Sequence, residues 1–134
     1  MSILLTEAPV SAEALARALG GNGEGAVVTF EGVVRPEGPA ASAGHLDYDA
    51  YAPMAERKLS EVEAEARSRF GILAIAIAHR HGPVPVGEAA VAIAVCSRHR
   101  REAFEACAFA IDRIKQIVPI WKMGEDACAQ RIAS

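Results

Sequence analysis

The chain has 134 residues, 51% of them hydrophobic and 23% charged, with a formal net charge of −3 and a pI near 5.8. That balance suits one globular domain over residues 1–134 with its own core, and it excludes a disordered chain or a surface given over to nucleic acid. The start, MSILLTEAPVS, has neither a basic n-region nor a long apolar run, and no stretch reaches the roughly 18 apolar residues of a membrane span, so a cytoplasmic protein is expected.

In chain order, Ser11 is placed to cap a short helix through Leu19, and Gly20-Gly21-Asn22-Gly23 ends it. Gly25 to Val34, rich in β-branched residues, reads as a strand, with Arg35 at its end before Pro36. Pro36 to Gly44 is a small-residue loop containing prolines. His45 to Tyr51 alternates with the period of a half-buried strand, and Pro53 opens a helix to about Phe70 that turns Met54, Leu59, Val62 and Ala66 inward. Ile72 to Ala78 and Ala89 to Val95 read as two central strands joined by a turn, HRHGPVPVGE. An alanine-rich helix from about Arg98 to Ile117 is expected to bury Phe104, Ala108, Ile111, Ile114 and Ile117, and Val118 to Met123 forms a last strand. The order implies an α+β fold, with helices on one face of a mostly antiparallel sheet.

The chemistry centres on IDRIKQIVPIWKM, residues 111–123. Pro119 disfavours helix at the residue before it, so Lys115 belongs to a helix and Lys122 to the extended segment that follows. Two lysines at one corner can hold an anion, or can depress a lysine pKa by like-charge proximity. Arg98-His99-Arg100-Arg101 puts a second cationic cluster at a helix start, where exposed backbone donors already favour anions.

Other groups carry less. His79 and His81 share a strand face but lack an evident carboxylate or thiol partner, and read as loop-facing polar residues rather than metal ligands. Glu31, Asp47 and Asp49 are a weak candidate for an acid pair. Cys96, Cys107 and Cys128 have no CxxC spacing; the first two read as small core residues. Nothing calls for a metal or an organic cofactor.

Taken in order, GAVVTFEGVVR (25–35), LDYDAYAPMAERKL (46–59), HRHG (79–82), VGE (86–88), SRHRREAFEA (97–106) and IDRIKQIVPIWK (111–122) resemble the large, catalytic subunit of molybdopterin synthase. The resemblance implies an α/β hammerhead fold and a sulfurtransferase of molybdenum cofactor biosynthesis. A small ubiquitin-like sulfur carrier with a C-terminal Gly-Gly thiocarboxylate would be its partner, cyclic pyranopterin monophosphate its substrate, and a homodimer the centre of a heterotetramer. By motif, Lys115 and Lys122 match the catalytic lysines, while Arg35, His99 and Arg100 match residues lining the substrate pocket. After Lys122 the chain departs from relatives, which often carry another basic residue there; it reads MGEDACAQRIAS. A rival reading is a non-catalytic α+β module that binds a phosphorylated metabolite.

Arg100 and Lys115 stand fifteen residues apart on one expected helix, or roughly 22 Å along its axis at about 1.5 Å per residue. One small substrate cannot touch both within a chain. If they serve one pocket, His99 and Arg100 must come from a second copy.

Overall fold

The structure, a computed structural model, describes residues 2–21, 23–123 and 129–131. Its first helix, α1 (Ala12–Leu19), starts where expected, with the Ser11 hydroxyl accepting from the Ala14 N–H at 3.2 Å. The Glu31 carboxylate accepts from the Ala12 N–H at 2.9 Å, so two donors left free by helix geometry are met from different elements. Glu31 is therefore a helix cap rather than half of an acid pair. Asp47 is exposed and pairs with His45 at 3.3 Å.

Two four-stranded sheets carry the fold. The first has the order β1-β4-β6-β2 and is built from Ile3–Thr6 (β1), Ala26–Val33 (β2), Ile72–Arg80 (β4) and Ala89–Ser97 (β6). The second has the order β5-β3-β7-β8, from His45–Ala50 (β3), Gly82–Pro85 (β5), Ile120–Met123 (β7) and Ala129–Arg131 (β8). All pairings are antiparallel except β1 with β4, and helices pack on the sheets, so the α+β class holds.

Several sequence expectations need correction. β1 has no counterpart in the sequence reading; its four residues find their partners only on β4, far along the chain. The Pro36–Gly44 loop contains a short helix, α2 (Pro39–Ala43), stopped by Gly44 in the left-handed region at φ 79°. The HRHGPVPVGE turn is not a turn throughout. His79 and Arg80 complete β4, and Gly82–Pro85 leaves the first sheet to join the edge of the second.

Helices cover both faces of the first sheet rather than one. Ile75, Ile77, Val91, Ile93 and Val95 share a core with α3 (Ala52–Arg69) and α4 (Arg100–Ile117). The alternate residues Ala76, Ala78, Ala92 and Ala94 are buried as well, and α1 lies against β2, β4 and β6. Alternating side chains point to opposite faces, so the alanine face is the one α1 covers. Cys96 and Cys107 are free and buried, as small core residues should be, and burial pushes the Cys107 thiol up to about 11. Cys128 lies outside the described residues.

In α3 the expected face is correct for Leu59, Val62 and Ala66, with Ala55 completing it and Met54 only half-buried. In α4 it is correct for Ile114 but not for Phe104 and Ala108. Ala103, Ala106, Cys107, Ala110 and Ile114 are buried, while Ala108 is exposed and Phe104 is 60% exposed. Both stripes satisfy spacings of three and four; the small one wins because it lets the helix lie close against β6 and α3. Accordingly, Ala106→Leu should destabilise the chain by about 1–3 kcal/mol through overpacking, and Ala108→Leu should stay within about 0.5 kcal/mol of wild type, as measured by urea unfolding.

Candidate functional site

α4 ends at Ile117, and Val118 caps it in an extended conformation, with its N–H still bonded to the Ile114 carbonyl at 3.0 Å. Pro119 follows, its carbonyl accepting from the Tyr51 N–H at 3.3 Å, and β7 begins at Ile120. Lys115 thus stands in the last helical turn, where a cation suits the helix dipole, and Lys122 on the strand. The two-element corner expected from Pro119 is present.

β7 runs antiparallel to β3, with Tyr48 directly opposite Lys122. Lys115, Lys122, Tyr48 and His79 line one narrow cleft of about 70 Å³, whose apolar wall includes Phe30 and Ile114. β2 breaks register between Gly32 and Val33 at the cleft wall, where a Cβ on Gly32 would sit 2.8 Å from Val91 Cγ1. Two residues beyond β2, Arg35 is exposed and its Nε is 3.2 Å from Glu37.

The corner does depress a lysine. Burial holds the Lys122 ammonium below its usual pKa, and the charges of Arg35 and Lys115 push in the same direction. Arg35, Lys115 and Lys122 therefore share one electrostatic neighbourhood. No carboxylate is among the described residues lining the cleft. An incoming anion would meet positive potential in partly dry surroundings.

His99 and Arg100 are elsewhere. His99 is the residue before α4, and with Arg98, Arg101, Phe104 and Gly25 the two line an open groove of about 730 Å³ at the other end of that helix. The Ser97 hydroxyl donates to the His99 carbonyl, fixing the backbone there. Gly25 is required because a Cβ would lie 2.5 Å from the Arg98 carbonyl oxygen. Within one chain the five sequence-derived site residues form two clusters: Arg35, Lys115 and Lys122 at one end of α4, His99 and Arg100 at the other.

Two buried polar residues near the cleft escaped the sequence reading. His79 is not loop-facing but 1% exposed on β4, and burial takes its pKa down to about 4. The signal was the continuation of the inward alternation Ile75, Ile77, His79. Arg80, 5% exposed, bonds Glu88 at 2.8 Å and the Glu7 carbonyl at 3.2 Å, and ties the end of β4 to two connections.

A family model described as MoaE protein matches residues 5–117. The chain belongs to the MoaE family. Among MoaE relatives, the molybdopterin synthase catalytic subunit of Staphylococcus carnosus (strain TM300) is 46% identical over 99 residues, which are 74% of this chain and 66% of that protein. The chain thus spans just under two thirds of that curated relative's length. The crystal structure of molybdopterin synthase from Staphylococcus aureus superposes with a TM-score of 0.83 at 35% identity, over 100% of this chain and 98% of that one. Molybdopterin cofactor biosynthesis protein E from Burkholderia multivorans ATCC 17616 gives a TM-score of 0.83 at 32% identity, over 99% and 93% of the two chains. The MoaE fold therefore holds across the described residues of this chain.

The buried imidazole has a measurable consequence. Its folded pKa of about 4 lies below the ordinary 6.5, so below pH 6.5 the unfolded chain takes up a proton that the folded chain refuses. Stability should be complete above pH 6.5 and fall by about 3 kcal/mol as pH drops towards 4. Urea titrations at stepped pH should show that slope, and His79→Gln should flatten it.

Proposed function

We propose that the chain is the catalytic subunit of a cytoplasmic molybdopterin synthase, a sulfurtransferase of molybdenum cofactor biosynthesis. Sulfur would pass from the C-terminal Gly-Gly thiocarboxylate of a small ubiquitin-like partner to cyclic pyranopterin monophosphate, twice, to form the dithiolene of molybdopterin. The observation that carries this reading is the meeting of Lys115 and Lys122 in one narrow cleft, with the charge of Arg35 acting on Lys122, in a MoaE-family chain.

The chemistry fits the charges. The thiocarboxylate is an anion and the pterin carries a phosphate, so two anions must be brought together and the charge that develops at the acyl carbon stabilised. Lys115, at the helix end, is the proton donor and acceptor or the transient amine nucleophile. Lys122, partly dehydrated, stabilises the tail carboxylate or the tetrahedral oxyanion. Arg35 holds the pterin phosphate, together with His99 and Arg100.

The last two residues reach the cleft only from a second copy. The length of α4 keeps Arg100 roughly 22 Å from Lys115 within one chain, so the complete pocket is one formed across a homodimer, with a small partner on each side. The departure after Lys122 bears on how the partner tail is held; most of that segment lies outside the described residues.

Reconstitution with a thiocarboxylated small partner and the cyclic pterin tests the reading. Lys115→Ala should lower dithiolene formation roughly 100-fold or more. Phosphate binding without any product would favour the non-catalytic metabolite-binding module instead. In proven mixed dimers, Lys115→Ala and Arg100→Ala chains should recover activity that neither variant has alone, because one of the two pockets is then intact. No recovery would rule out a shared pocket.

A further inference from the structure

The floor of the cleft holds a group that the reaction above does not use. His79 Nδ1 lies 2.8 Å from the Arg80 carbonyl oxygen. A carbonyl only accepts, so the ring proton is on Nδ1 and Nε2, at the far end of the ring, keeps its lone pair. Among the described residues this is the ring's one hydrogen bond. The imidazole and the Tyr48 ring form a T-shaped pair, with centroids 6.0 Å apart and planes at 71°.

Tyr48 links the histidine to the lysine corner. It is the cross-strand partner of Lys122, and paired residues on neighbouring strands project to the same face. His79 from β4, Tyr48 from β3, Lys115 from α4 and Lys122 from β7 all line the cleft, with Arg35 near Lys122 beyond β2. No carboxylate is present among these lining residues. A lysine turned inward there finds neutral acceptors: Nε2 of His79, the Tyr48 hydroxyl and backbone carbonyls.

We propose that His79 is a positioning residue for Lys122: as the Lys122 side chain turns into the cleft, Nε2 of His79 accepts a hydrogen bond from its ammonium, while the ring contact with Tyr48 holds the imidazole in place. A neutral acceptor orients the ammonium without cancelling its charge; a carboxylate would orient it equally well but quench the positive field that draws an anion in. Burial keeps the imidazole uncharged, so it adds no further repulsion to Lys122. The inference rests on the proposed function only for the claim that orienting Lys122 matters to turnover. The hydrogen bond itself is inferred from the shared lining of the cleft and is tested separately from turnover.

The chain has three lysines, Lys58, Lys115 and Lys122, so ε-13C-lysine labelling gives a spectrum simple enough to follow each amine. In His79→Leu the Lys122 ammonium loses its acceptor, and its ionisation constant should rise about tenfold, that is, titrate about one pH unit lower. Lys58, on α3 beside Glu61, should not move. His79→Gln, which keeps an acceptor, should restore the wild-type titration. In the reconstituted reaction, His79→Leu should lower kcat about tenfold with KM within about twofold, again rescued by His79→Gln. Unchanged Lys122 titration in His79→Leu, or no rescue by His79→Gln, overturns the proposal. Should His79→Leu not fold, the wild-type 15N spectrum decides: an Nδ1–H ring with a hydrogen-bonded Nε2 supports the proposal, and an Nε2–H ring overturns it. If Lys122→Ala turns over normally, the catalytic reading fails while the lysine titration still judges the contact.

Discussion

Pro119 is the constraint on which the site depends. A helix running on past Ile117 would have carried Lys122 two turns further along the axis of α4, on a face set by helical periodicity. The proline forbids this, because its ring excludes helix at Val118 and it has no N–H to continue the ladder. The chain turns instead into β7, its carbonyl tied to Tyr51, and Lys122 arrives opposite Tyr48 on the second sheet. One local restriction thereby converts two lysines of one segment into two walls of a cleft.

The first sheet supplies the rigidity behind that cleft. Its central strands alternate branched residues and alanines, so that α3 and α4 pack on one face and α1 approaches the other. A sheet clamped on both sides moves little. The end of β4 is further tied by Arg80, whose guanidinium reaches Glu88 and the Glu7 carbonyl. His79 is held one residue before this tie, which explains how a polar ring is kept dry without a charged partner. The cleft therefore has a neutral floor and a cationic mouth.

The electrostatic arrangement has a cost built into it. Lys122 is partly dehydrated and faces Arg35 and Lys115, and each of these effects disfavours its charged form. Without a compensating anion the folded chain keeps like charges close together. Glu37 offsets part of this at Arg35, and on the proposed function the rest is what an anionic substrate or partner tail would neutralise.

Sequence alone determined most of what local physics controls. Ser11 marked the start of α1, the β-branched run 26–33 became β2, and Pro119 split Lys115 from Lys122. Each depends on neighbours a few residues away. Tertiary structure alone decided what depends on distant partners. Four residues at Ile3–Thr6 become a strand only beside β4, and Gly82–Pro85 only beside β3. Phe104 was the larger apolar residue of α4, yet Ala103, Ala106 and Ala110 face the core, since close packing rewards fit over size. His79 could be read as an exposed loop group until the length of β4 was known; the strand and the cover over it make the imidazole buried and neutral. The alternation of the strand was local information, but burial is a property of what packs against it, and that only the folded chain decides.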